Sequence, residues 1–173
     1  MQEFALQSMQ PAPLPLPRFR NALAGAVLLG VCLALGWLVV LGLLEPLLRD
    51  RPVKLAGAAV FQTGNLPYIA FVALLWAPLY ETLIAQCLPI ALVRCVSTSN
   101  APAIIAGAAV FSIGHMTNGG GWEQGIITAI SGAVFSWRYV HGLDYGIFGA
   151  IILTAVVHAS NNALALCAAM LFG

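Results

Sequence analysis

Three ionisable side chains stand inside long apolar runs of this sequence: Glu81, His115 and His158. Thr82, Gln86, Asn161 and Asn162 accompany them at the same depth. Ionisable groups inside a bilayer are costly and usually mark function. One carboxylate and two imidazoles suit general acid–base chemistry. Water is too weak an acid to ionise at neutral pH without a positioned base, and N–H groups aimed at a developing oxyanion stabilise it. The same three residues would also serve as zinc ligands with an open fourth position, and the two imidazoles alone as axial haem ligands.

Helix geometry sorts these groups. His158 and Asn162 are four apart and fall within about 40° on one face, and Asn161, three from His158, nearly shares it. Spacing alone therefore leaves the two asparagines interchangeable. Thr82 and Gln86 also share a face and can hydrogen-bond across one turn, with Glu81 displaced by about 100°. Phe111 sits one turn before His115, where its ring can pack on the imidazole. Taken singly, each has a quieter reading: a protonated acid bonded to a neighbouring helix, a packed histidine, an asparagine joining helices. One acid and two imidazoles on three helices have a reason to converge that isolated polar residues lack. Trp37, Trp76, Gly119 to Gly121 and His141 read as packing, interface and loop residues.

The elements that must position them are membrane helices. The chain has 173 residues, 61% hydrophobic and 8% charged, with a mean hydropathy of +0.93. Soluble domains carry about a quarter charged residues. A soluble globular protein, a disordered chain and a disulfide-stapled secreted domain are excluded, and a net charge of +1 leaves no basic excess for nucleic acid. Cys32, Cys87, Cys95 and Cys167 have no C-x-x-C spacing and read as small buried hydrophobes.

The sequence predicts an all-α polytopic membrane bundle of about five spanning helices plus a short interfacial or half-helix. A proline-rich leader occupies residues 1–20, and a single transmembrane domain follows over 21–173. Spans are expected over 22–44, 66–93 (kinked at Pro78 and Pro89), 102–115, 122–137 and 147–171. The half-helix falls at 55–61, too short to cross. Loops are expected at 45–54 and 138–145. Trp122 and Trp137 are about 22 Å apart along a helix, which suits two interfacial belts. Arg18, Arg20, Arg94 and Arg138 on one side against Arg49, Arg51 and Lys54 on the other lean toward a cytoplasmic N-terminus.

Three stretches resemble one family. Glu81-Thr-Leu-Ile-Ala-Gln86, Phe111-Ser-Ile-Gly-His115 and His158-Ala-Ser-Asn-Asn162 follow the order and depth of the CPBP intramembrane proteases (CAAX proteases and bacteriocin-processing enzymes, also called the Abi family). The family patterns are Glu-Glu-x-x-x-Arg, Phe-x-x-x-His and His-x-x-x-Asn or Asp, and the resemblance covers about residues 76–166. The second and third motifs match in full. In the first, Thr82 replaces the second glutamate and Gln86 the arginine. Replacing an ion pair by a neutral polar pair can be near break-even, so the change reads as supporting, with the first acid retained.

The resemblance implies a glutamic-type intramembrane endopeptidase. Glu81 and His115 would activate a water, His158 and Asn162 would form the oxyanion site, and Thr82, Gln86, Phe111 and Asn161 would support them. It implies a polypeptide substrate with a C-terminal sorting or processing signal, membrane lipid as surroundings, and no obligatory cofactor. Zinc on Glu81, His115 and His158 is the metal-dependent variant. The short chain and polar-poor loops suit a prokaryotic plasma membrane. Two other classes compete: a non-catalytic immunity or scaffold membrane protein, favoured by Thr82 and Gln86, and a haem-binding membrane protein using His115 and His158.

Overall fold

The structure is a computed structural model that describes residues 16–48, 60 and 62–172. Among them the regular elements are all helical: α1 (Leu16–Leu48), α2 (Leu66–Arg94), α3 (Asn100–His115), α4 (Gly121–Gly142) and α5 (Gly146–Phe172). The leader up to residue 15, the charged residues at 49–54 and the half-helix at 55–61 (Val60 apart) lie outside the described residues.

Three helical stretches are long and apolar enough to cross a membrane: Pro17–Leu43, Leu66–Arg94 and Asn100–Leu171. The last is interrupted twice. At Met116–Gly120 a π-type turn contains non-helical Asn118 and Gly119, and Gly119 and Gly121 take φ values of 95° and 69° that a side chain would disfavour. At Leu143–Tyr145 a single 3₁₀ turn leads into Gly146. The chain reverses at both places. Ser112 Oγ donates to the Gly125 carbonyl at 2.7 Å, so α3 and α4 run side by side. Phe135 stacks on His158 while Gly142 packs against Ala150, so α4 and α5 are antiparallel.

Small residues let these helices approach, since apolar surface alone gives no drive to associate in lipid. A Cβ on Gly30 would lie 2.3 Å from the Val157 carbonyl oxygen, which sets α1 directly against α5. A Cβ on Gly107 would meet Ser136 Oγ at 2.3 Å and the Ala85 carbonyl at 3.1 Å, where α2, α3 and α4 come together. The buried core beside that junction contains Ala26, Ala85, Phe111, Phe135, Leu153 and Val157.

Helix ends differ from expectation in a consistent direction. α1 runs past Leu44 to Leu48, and α4 continues through Arg138 to Gly142 where a loop was expected. α3 begins at Asn100, with Pro102 in its first turn, where a missing N–H costs nothing. Composition marks where the apolar zone ends, and backbone hydrogen bonding carries a helix beyond it. The cysteines also differ: all four are free, but Cys32, Cys95 and Cys167 are exposed and Cys87 is half-buried. In an apolar bundle with an apolar exterior, a thiol gains little by facing inward.

α2 is the irregular helix. Its residues Val72–Trp76 and Thr82–Cys87 form π turns, and Pro78 and Pro89 follow each closely. The Ala77 N–H bonds the Val72 carbonyl and the Leu88 N–H bonds the Leu83 carbonyl, each five residues back. Proline has no N–H and crowds the carbonyl four residues before it. The expected kinks thus take the form of two widened turns, and Glu81 stands between them.

Candidate active site

Glu81 is the last residue of the short α-helical segment between the π turns of α2, His115 is the last residue of α3, and His158 lies within the uninterrupted α5. The fold brings all three together. His115 Nε2 lies 4.0 Å from Glu81 Oε2, and His158 Nε2 lies 3.7 Å from the same oxygen. Both separations exceed a direct hydrogen bond. The side chains are 27% (Glu81), 21% (His115) and 5% (His158) exposed, and Glu81 Oε2 itself is buried without a hydrogen-bond partner among the described residues.

The two imidazoles are held differently. His115 Nδ1 lies 3.0 Å from the Phe111 carbonyl, one turn back. A carbonyl only accepts, so Nδ1 carries the hydrogen and, in the neutral ring, Nε2 presents a lone pair toward Glu81. His158 Nδ1 is buried without a partner among the described residues, which leaves its proton free to sit on Nε2. Aromatic rings fix both. Phe111 is 4.4 Å from His115 and 5.6 Å from His158 between ring centres, and Phe135 stacks on His158 at 4.5 Å.

The asparagines separate once placed. Asn162 Nδ2 donates to the Ala73 carbonyl at 2.9 Å, joining α5 to the first π turn of α2. That carbonyl needs a donor from outside its helix, because the Ala77 N–H goes to Val72 and Pro78 has none. Asn162 keeps a second amide hydrogen. Asn161 Nδ2 donates to Asn162 Oδ1 at 3.3 Å, while Asn161 Oδ1 is buried and unpaired.

Thr82 and Gln86 are fully buried, but the hydrogen bond expected between them is absent. Thr82 Oγ1 and both amide atoms of Gln86 have no partner among the described residues. The π turn that contains both explains this: one extra residue per turn removes the stacking of positions four apart.

A groove of about 240 Å³ reaches the site from α1. Trp37, Leu38 and Leu41 form one wall, and His115, His158, Asn161 and Asn162 line the other side. Glu81 is outside that lining and adjoins it through the imidazoles. Trp37 Nε1–H donates to Ser131 Oγ at 2.9 Å, pinning the wall to α4. Trp37 was read as a packing residue, and a partner 94 residues away leaves no mark in local sequence. His141, read as a loop residue, lies in α4, exposed, with Nδ1 on the Trp137 carbonyl.

Zinc held tetrahedrally at about 2.0–2.2 Å would set its ligand atoms roughly 3.4 Å apart, against 4.0 and 3.7 Å from Glu81 Oε2 to the two Nε2 atoms here. Among the described residues no group of His, Cys, Asp and Glu is arranged to hold a metal. For haem, both Nε2 atoms face one carboxylate, and the adjoining groove is below the ~300–1,000 Å³ of cofactor-sized pockets.

An acid and two imidazoles thus meet inside an apolar helical bundle. Residues 63–164 match the family model for type II CAAX prenyl endopeptidase Rce1-like proteins, and the chain belongs to that family. Glu81, His115, His158 and Asn162 all fall within the match, and α1 lies outside it. Membership agrees with the CPBP resemblance and implies an integral membrane protein of a protease family that acts on polypeptides at the membrane. No curated protein matches the chain, and no solved structure does.

Proposed function

We propose that this protein is a glutamic-type intramembrane endopeptidase in which Glu81 and His115 activate water and His158 with Asn162 stabilises the oxyanion. The observation that carries this reading is the convergence of two imidazole Nε2 atoms on one Glu81 oxygen from three helices.

The tautomers divide the labour. A water bridging Glu81 and the bare Nε2 of His115 loses its proton to that pair as its oxygen attacks the peptide carbonyl. The carbonyl oxygen becomes an oxyanion, and His158 Nε2–H and the second amide hydrogen of Asn162 donate to it. Collapse of the tetrahedral intermediate breaks the C–N bond, and the captured proton passes to the leaving amine. One such donor in a low-dielectric site is worth about 3 kcal/mol. The mechanism needs no serine or cysteine nucleophile.

On the same reading residues 21–173 form one domain. The stretch Asn100–Leu171 passes the bilayer three times, since a straight helix of that length would span about 108 Å against roughly 30 Å of hydrocarbon. With α1 and α2 that gives five crossings. The substrate is the C-terminal processing or sorting segment of a membrane-associated polypeptide, and the setting a prokaryotic plasma membrane.

The test is cleavage of quenched reporter peptides in liposomes, one set with a prenylated C-terminal tail and one with unmodified sorting-type tails. Glu81→Gln removes the base while keeping the shape, and the expected loss is about 100-fold or more with an unchanged melting temperature. Unaltered cleavage by this variant rejects Glu81 as the base. Activity lost to a chelator and restored by zinc rejects the metal-free mechanism.

A further inference from the structure

A second groove, of about 490 Å³, lies between α1 and the α4–α5 turn and shares no lining residue with the one beside the histidines. Leu28, Leu29 and Cys32 line its apolar length, and Arg138 and Tyr145 stand at one end. Between Ala22 and Cys32 the trough follows α1 for about 15 Å.

Arg138 is the anomaly. Its Nη2 reaches the Ala22 carbonyl at 3.4 Å, the outer limit of a hydrogen bond. Its Nε is buried without an acceptor, and no carboxylate among the described residues pairs with it. A part-buried cation of this kind calls for an anion. A guanidinium presents a planar fork of donors that fits a phosphate bidentately.

The surroundings fix the depth and the sign. Trp137 and Tyr145 flank Arg138, the aromatic setting of a membrane–water interface. Arg18 and Arg20 are exposed in the first turns of α1, and Phe19 between them packs edge-on against Tyr145. Asp144, exposed in the 3₁₀ turn, is the acid of this edge. The edge is therefore net cationic at headgroup level, and an apolar trough descends from it.

We propose that this groove binds one anionic phospholipid, with the phosphate on Arg138 and an acyl chain along Leu28, Leu29 and Cys32. The binding is independent of the hydrolytic reading. Gly25 offers a way to separate the two halves of the site: it lines the trough, and a Cβ placed there meets nothing within 4 Å. Gly25→Leu fills the trough while keeping the Arg138 side chain.

Native mass spectrometry of the full chain, taken from nanodiscs of phosphatidylglycerol and phosphatidylcholine in equal parts, reads the bound lipid. The wild type is expected to retain one phosphatidylglycerol in preference to phosphatidylcholine by about fivefold. Arg138→Gln loses that preference, Arg138→Lys keeps part of it, and Gly25→Leu lowers occupancy by either lipid. Melting temperatures in detergent report whether each variant is folded. An unchanged preference in Arg138→Gln, or unchanged occupancy in Gly25→Leu, overturns the proposal. So does displacement of the lipid by millimolar inorganic phosphate, which would make the site a phosphate site without a chain. Lipid retained without regard to headgroup and lost only in Gly25→Leu would assign the groove to a neutral apolar chain.

Discussion

α2 and α5 bring their functional groups to the same place by opposite means. α5 is 27 residues of unbroken helix and delivers His158 and Asn162 from one face. α2 delivers Glu81 from between two π turns, each followed by a proline. The regular helix acts as a ruler, and the irregular one is fitted to it. Asn162 is one point of contact, because its amide supplies the hydrogen that the first π turn denies Ala73. Strain and unusual turns cluster at working sites in many proteins. Here widened turns fall on the helix that carries the acid and directly after His115, while the helix that carries His158 and Asn162 has none.

The largest expected effect comes from removing the irregularity. Pro78→Ala combined with Pro89→Ala restores both missing N–H groups and lets α2 relax toward a regular helix. Rotating Glu81 away from the imidazoles by even ~1 Å should cost about 100-fold in cleavage. The melting temperature should hold or rise, since a helix-interior proline costs about 3 kcal/mol. Full activity in this variant would show that the π turns do not place the acid.

A smaller effect is expected at the contact between the two helices. Asn162→Ala leaves the Ala73 carbonyl without its donor, a loss of about 1–2 kcal/mol measurable by denaturation in detergent. Asn162→Asp should destabilise similarly, because an ionised carboxylate cannot donate. Stability equal to wild type in both would mean that α5 does not support α2. The smallest change is at the groove wall: Trp37→Phe keeps the ring and removes the N–H to Ser131, for about 1 kcal/mol of stability. Selectivity between reporter peptides should shift more than the maximal rate, and a rate change without a selectivity change would take the wall out of substrate contact.

What the sequence made legible was whatever depends on spacing within one helix. Phe111 and His115 pack, and His158 and Asn162 share a face, because positions four apart in a regular helix must do so. The same rule failed for Thr82 and Gln86, where the helix is not regular. The two prolines flanking Glu81 were visible, but proline requires only that a hydrogen bond be lost, not that the turn widen. Pairings across the fold left no local trace: Trp37 with Ser131, Asn162 with Ala73, and Arg138 with the Ala22 carbonyl. Charge marks Arg138 as the start of a loop in the sequence, but α4 runs on to Gly142.

α1 supplies one wall of the groove beside the histidines, yet it sits outside residues 63–164. On the proposed reading, the acid–base groups and one wall of the groove beside them lie on separable lengths of polypeptide. Exchanging or redesigning the first helix would then alter that wall while Glu81, His115, His158 and Asn162 stay untouched.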